Sequence, residues 1–176
     1  MNEIKLIKPS IQYADDIMSF RSELFSAGEE NTFDGCGELK NYTTAEEWLK
    51  HLVLMENEET CPKGRVTSDV YIAVRVADNR IVGIIDLRHH INHPILSVWG
   101  GHIGYTVRPS ERNKGYAKEM LRLNLLNCRD RGIDKVLLTC NKNNIASEKT
   151  IIANGGVFEN EVEADGEFVK RFWITL

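Results

Sequence analysis

The stretch 102–117, His-Ile-Gly-Tyr-Thr-Val-Arg-Pro-Ser-Glu-Arg-Asn-Lys-Gly-Tyr-Ala, restricts this chain more than any other. Ile103, Tyr105 and Val107 alternate with His102, Gly104 and Thr106, the period-two pattern of a strand that Pro109 and Ser110 end. From Tyr116 the period is helical: Ala117, Met120, Leu121, Leu125 and Cys128 share one face of a helix running to about Arg131. Between the two lies the turn Arg112-Asn113-Lys114-Gly115-Tyr116-Ala117. A glycine there lets backbone N–H groups come close to a ligand, and the helix N-terminus adds partial positive charge. With the formal charges of Arg112 and Lys114, the turn predicts a cradle for phosphate oxygens; a solvated basic turn that merely caps the helix is the alternative.

Two well-known phosphate motifs are excluded. No Gly-Lys-Ser/Thr stands where a P-loop needs it, and Gly115 is alone where a dinucleotide fingerprint needs three spaced glycines.

A chain of 176 residues, 42% apolar and 27% charged, is expected to form one domain, 1–176, with a core of ordinary size. No apolar run approaches the roughly 20 residues of a membrane span, and Met-Asn-Glu-Ile-Lys lacks the shape of a signal peptide, so a cytoplasmic location and no membrane partner are expected. Cys36, Cys61, Cys128 and Cys140 are too scattered for a zinc ribbon or a disulfide scaffold. A net charge of −4 argues against a nucleic-acid partner. A homodimer stays open.

The remaining chain alternates between helix and strand signals. Ile4 and Leu6 suggest a first strand, and Tyr13, Ile17, Phe20 and Leu24 a helix. The glycine-rich 27–43 segment reads as a long loop, either a functional lid or a mobile connection. Thr44 and Glu47 form a capping box for a helix ending before Pro62. Val70 to Val76 and Ile81 to Leu87 predict a hairpin turning at Asp78-Asn79. His89, His90 and His93 lie in the following connection without ligand spacing to a carboxylate or cysteine, which favours a polar tip over a metal site. Lys135 to Cys140 is a buried strand, expected to lie parallel to the 102–107 strand, and Asn144 can cap a short helix from Ile145 to Asn154. Val157–Val162 and Phe168–Thr175 close the chain as a second hairpin.

This order, β-α-α-β-β-β-α-β-α-β-β, together with Arg112-x-x-Gly115-x-Ala117 and with Asn144-Ile-Ala-Ser147 followed by Gly155-Gly156, resembles the GNAT superfamily of N-acetyltransferases. The resemblance implies a mixed α/β (α+β) fold: a central, mostly antiparallel twisted sheet, helices on both faces, and one parallel strand pair splayed around acetyl-CoA as cosubstrate, with no metal. By that resemblance Arg112, Asn113, Lys114, Gly115, Tyr116 and Ala117 wrap the pyrophosphate, and Asn144 bonds the pantetheine arm. Lys149 is then placed to reach a phosphate, and the backbone near Thr106 and Val107 polarises the acetyl carbonyl.

The implied reaction is acetyl transfer to a primary amine, on a small molecule or on a peptide or protein. A non-catalytic acyl-CoA-binding sensor or scaffold is the alternative. His102 is the ionisable residue on the cradle strand, and its ordinary pKa of about 6.5 suits a general base; Asp86 and Glu111 compete for that role. The family's acid tyrosine falls at Ile151, which cannot donate, so Ser147 is the expected proton donor to the thiolate. Acceptor identity is expected to reside in 27–68 and 89–98.

Overall fold

The structure, a computed structural model, describes residues 3–176. β1 (Ile4–Ile7) pairs antiparallel with β2 (Ser68–Arg75), which pairs with β3 (Ile81–Arg88), which pairs with the short β4 (Tyr105–Val107). A second sheet has the order β5-β7-β6, built from β5 (Lys135–Asn141), β6 (Val157–Ala164) and β7 (Glu167–Thr175), again antiparallel. No ladder joins β4 to β5, and the strands fall into two separate sheets. They are stitched by His102 N–H donating to the Leu137 carbonyl at 2.8 Å, and Leu137 N–H donating to His102 Nδ1 at 2.9 Å.

Helices cover both faces of the first sheet. α1 (Ala14–Ser26) buries Ile17, Phe20 and Leu24, and α2 (Ala45–Met55) buries Trp48, Leu52 and Met55. All of these but Met55 pack on Val70, Ile72, Val74 and Ile84. On the opposite face α3 (Tyr116–Asp130) sets Met120, Leu121, Leu125 and Cys128 against Ala73, Val82, Ile85 and Leu87. The capping box forms as its spacing predicts, with Thr44 Oγ1 accepting from Glu47 N–H at 3.3 Å. α2 ends at Met55, before Pro62 as expected, with Val53 and Leu54 of its last turn exposed. α4 (Ile145–Ile152) is capped by Asn144, whose Oδ1 accepts from Ser147 N–H at 3.0 Å.

The 27–43 segment is a fixed wall, not a free lid. Trp48 Nε1 donates to the carbonyls of Cys36 and Gly37, Arg21 to those of Leu39 and Lys40, and Cys36 and Leu39 are fully buried.

A buried carboxylate pins the near ends of several elements. Asp69, at the start of β2, meets Lys8 at 2.5 Å, His89 Nε2 at 2.9 Å and the Arg131 guanidinium just past α3. This accounts for His89: it is tied to Asp69, and among the described residues no group of three metal-binding side chains forms. Burial opposes ionisation of Asp69, but hydrogen bonds from His89 and Lys8 and the charges of Lys8 and Arg131 outweigh it and hold the carboxyl well below its ordinary value. Because the folded-state value is depressed, the stabilisation is present above the unfolded value of about 3.9 and is lost as pH falls below it. Asp69→Asn is expected to cost about 2 kcal/mol at neutral pH. In melting experiments across pH, the gap between variant and wild type should narrow towards pH ~3; a gap independent of pH would show that the ionised carboxylate is not what stabilises.

Candidate active site

At the cradle, Asn113 and Gly115 both have left-handed backbones, φ +61° and +84°. Gly115 stands at the N-cap of α3, where that conformation costs glycine nothing. Among the described residues, no protein group accepts from the backbone N–H groups of Lys114, Gly115, Tyr116 or Ala117. A run of unpaired donors at a helix N-terminus is a ready anion site.

The expected side-chain charges are already engaged. The Arg112 guanidinium makes a two-pronged contact with Glu29 at 2.6 and 2.5 Å, and Lys114 reaches Glu111 at 2.9 Å. The unengaged donors of the turn are therefore its backbone N–H groups, with Arg112 held beside them by Glu29 of the 27–43 wall. Tyr116 is buried in the core with its hydroxyl against Arg75, so only its N–H faces the turn. Ala117 follows on the first turn of α3, and Lys149 projects from α4 as an exposed side chain.

Beyond the cradle the two sheets part. Asp86 N–H bonds the Gly104 carbonyl and Arg108 N–H bonds the Val82 carbonyl, so even-numbered residues of this strand face β3. Tyr105 and Val107 then turn their N–H groups to the opposite edge, towards β5. Thr106 does not share that edge; it spends its hydroxyl on the Thr32 and Asp34 carbonyls at 2.9 and 2.8 Å, locking the wall onto β4.

Across the gap, Tyr105 Oη lies 2.8 Å from Ser147 Oγ. Burial pushes the Tyr105 hydroxyl up to about 12, only partly offset by the contact with Ser147. Ser147 thus has a tyrosine from β4 beside it. Composition and periodicity gave no hint of this pair, which is 42 residues apart in sequence. Ile151 is fully buried against Gly156. A tyrosine there would overpack the core rather than reach the gap.

His102 is given a different task from the one its sequence position suggests. A neutral imidazole has one basic lone pair, and at Nδ1 it accepts the Leu137 N–H. Burial, reinforced by the neighbouring Arg88 charge, lowers the ring to about 4, so it stays neutral and mends the backbone where the sheets diverge. Glu111 is occupied too, by Arg75 at 2.8 Å and by Lys114.

On the α2 side of β4 lies a cavity of about 580 Å³, walled by residues 33–41, by His51, Leu52 and Met55 of α2, by residues 64–66 and 68, and by a stretch from Asp86 to Leu96. Its wall draws on 27–68 and 89–98, the segments expected to choose the acceptor, together with Asp86 and Arg88 of β3.

Residues 7–157 match the family described as Acetyltransferase (GNAT) domain. The chain belongs to the GNAT acetyltransferase family. No curated protein matches it at a significant level. Among solved structures, RimL, a ribosomal L7/L12 alpha-N-protein acetyltransferase in complex with coenzyme A, superposes with a TM-score of 0.70 at 18% identity, over 98% of this chain and 94% of that one. MccE, a microcin C7 self-immunity acetyltransferase in complex with acetyl-CoA and AMP, gives 0.71 at 14% identity, over 100% and 94%. The ribosomal-protein-S5-alanine acetyltransferase from Vibrio fischeri gives 0.67 at 17%, over 98% and 91%. At these identities the likeness is one of fold.

This GNAT chain is an acyltransferase with acetyl-CoA as its cosubstrate, and the cradle fits that group: unpaired N–H donors for phosphate oxygens, and beside them a gap between β4 and β5 that no ladder closes. Among the described residues no helix is long and apolar enough to cross a membrane.

Proposed function

We propose that the protein transfers an acetyl group from acetyl-CoA to a primary amine that enters through the cavity on the α2 side of β4. The observation that carries this reading is the Tyr105–Ser147 pair, which spans the gap between β4 and the N-terminal turn of α4 with both hydroxyls in mutual contact. A module that only bound acyl-CoA would need the cradle but not paired proton donors at the far end of the gap.

When bound, acetyl-CoA supplies the activated acyl carbon. Lys114 to Ala117 hold its phosphates through backbone N–H groups, with Arg112 alongside, and Asn113 shapes the turn. Asn144 keeps its side-chain amide N–H₂ for the pantetheine arm, since only its Oδ1 is used in capping. Lys149 is exposed at the same end and free to reach a phosphate. The N–H of Val107, with that of Tyr105, faces the gap and polarises the acyl carbonyl. Tyr105, fully protonated at neutral pH, passes a proton through Ser147 to the departing sulfur and regains it from solvent.

Tyr105→Phe and Ser147→Ala are each expected to lower turnover roughly tenfold to a hundredfold, with acetyl-CoA affinity within a few-fold of wild type. The double variant should be little worse than either single one, because both break one relay. Full multiplicative losses would mean that the two hydroxyls act separately.

The reading as a whole is tested by free-thiol release from acetyl-CoA across a panel of peptide N-termini, lysine peptides and small primary amines. Amine-dependent release supports it. Tight acetyl-CoA binding with no release for any amine would leave the acyl-CoA-binding module.

A further inference from the structure

We propose that Asp34, on the irregular wall between α1 and α2, is the base that takes the proton of the acceptor amine, with Asp86 of β3 as its positioning partner. The inference rests on the amine-acetyltransferase reading and names the residue that reading lacks.

Three carboxylates line the cavity: Asp34, Glu38 and Asp86. Glu38 is committed to Arg65 at 2.6 Å and His51 at 3.1 Å. Asp86 has both oxygens in use, Oδ1 accepting from Gly104 N–H at 2.6 Å and Oδ2 beside Arg88 at 3.2 Å. Asp34 alone of the three has a carboxylate with no hydrogen bond or ion pair among the described residues. Its side chain is exposed and lines the cavity.

Its backbone is fixed to the strand that borders the gap. The Asp34 carbonyl accepts from Thr106 Oγ1 at 2.8 Å, and the next residue, Gly35, lies so close to β4 that a Cβ there would sit 2.0 Å from the Gly104 carbonyl oxygen. Only glycine allows that approach, at a φ of +71°. Asp34 is therefore held on one side of the strand, near Gly104 to Thr106, while Tyr105 and Val107 address the coenzyme gap from its edge.

The surroundings suit a base. Burial raises the Asp34 carboxyl above its ordinary value, the nearby Asp86 raises it further, and Arg88 restrains the rise. Asp86 is itself raised by burial, against the pull of Arg88 and the Gly104 N–H. The other charged or titratable groups on this wall are Cys36, Glu38, Lys40, His51, Arg65 and His93. An alkylammonium acceptor entering the cavity meets carboxylate at the end nearest β4. One N–H proton of the ammonium passes to the Asp34 carboxylate, which hands it on to solvent, and the freed lone pair forms the N–C bond; the attached nitrogen then gives a second proton to the same carboxylate, leaving a neutral amide. The C–S bond breaks, and the sulfur takes its proton from the Ser147–Tyr105 pair.

Asp34→Asn, nearly isosteric, should lower turnover roughly 10²–10⁴-fold while acetyl-CoA affinity by calorimetry stays within about twofold. The loss should shrink as pH approaches ~10, where an amine is neutral without help. Asp34→Glu should recover part of the rate. A readout independent of turnover is the Asp34 carboxyl titration followed by ¹³C NMR: raised in wild type, and falling towards about 3.9 in Asp86→Asn, whose amide oxygen still accepts from Gly104. An Asp34 that titrates normally in wild type, or an Asp34→Asn enzyme with wild-type rate and pH profile, overturns the assignment while leaving amine transfer intact. Wild-type protein that binds acetyl-CoA but acetylates no amine overturns both.

Discussion

Gly115→Asp should weaken acetyl-CoA binding about 100-fold, roughly 3 kcal/mol, and leave the fold in place. Gly115 is exposed at the N-cap of α3 with a φ of +84°. A side chain there enters the space above four unpaired N–H groups, and a carboxylate brings like charge to the phosphate site. The same carboxylate is favourable at a helix N-terminus, so α3 should not unravel. Gly115→Ala separates the contributions: it adds strain of about 1 kcal/mol and steric bulk but no charge, and should lose less affinity. Calorimetric titration of both variants decides the matter. Affinity unchanged in Gly115→Asp would remove the phosphates from this turn.

The largest effect on stability is expected at Arg108. Its side chain is 1% exposed, stacked over Phe20, and bonded to Asp16 at 2.5 Å, with Glu23 and Ser19 at 3.4 and 3.3 Å. It ties α1 to the strand that carries Tyr105 and Val107, and its buried Nε has no partner. Arg108→Met keeps most of the volume and removes the charge, leaving Asp16 with only the Ile81 N–H and Glu23 with the Ser110 N–H and the more distant Arg80. Removing one partner of a buried ion pair costs about 3–5 kcal/mol. Both carboxylates are about a quarter exposed and can rehydrate, so the lower end is expected. For a domain of this size that lowers Tm by roughly 6–12 °C. Adding Asp16→Asn should return part of the loss, since one stranded charge is gone. A change of under about 1 kcal/mol would mean that the pairs contribute little beyond packing.

What the sequence disclosed follows from what leaves a periodic trace. The strands of both hairpins, the apolar face of α3 and the Thr44 capping box all depend on local spacing, and each formed where its pattern stands. The Gly115 turn was legible because a strand, a glycine and a helix in succession have a mechanical meaning. The rest was hidden for identifiable reasons. Asp34 lies in a segment with no period, and its placement depends on Gly35 touching Gly104 some 70 residues on. His102 looked like a base because an imidazole on that strand has a suitable ordinary pKa; that its lone pair replaces a backbone carbonyl for Leu137 depends on the divergence of two sheets. The three-residue β4 has the same origin: at His102 the carbonyl still accepts from Arg88 N–H of β3, while the N–H goes to the Leu137 carbonyl of β5. Arg112 and Lys114 read as phosphate ligands by charge alone, and their carboxylate partners Glu29 and Glu111 could be named only from the fold.

The central claim is that the gap and the cavity meet so that an amine takes the acetyl group. The most direct measurement follows isotopically labelled acetyl from acetyl-CoA and identifies by mass spectrometry where it finishes. The account predicts label on the nitrogen of a primary amine, one equivalent for each thiol released, and the same ratio at reduced rate in Tyr105→Phe. Label recovered only as free acetate, or thiol release independent of any amine, would contradict it.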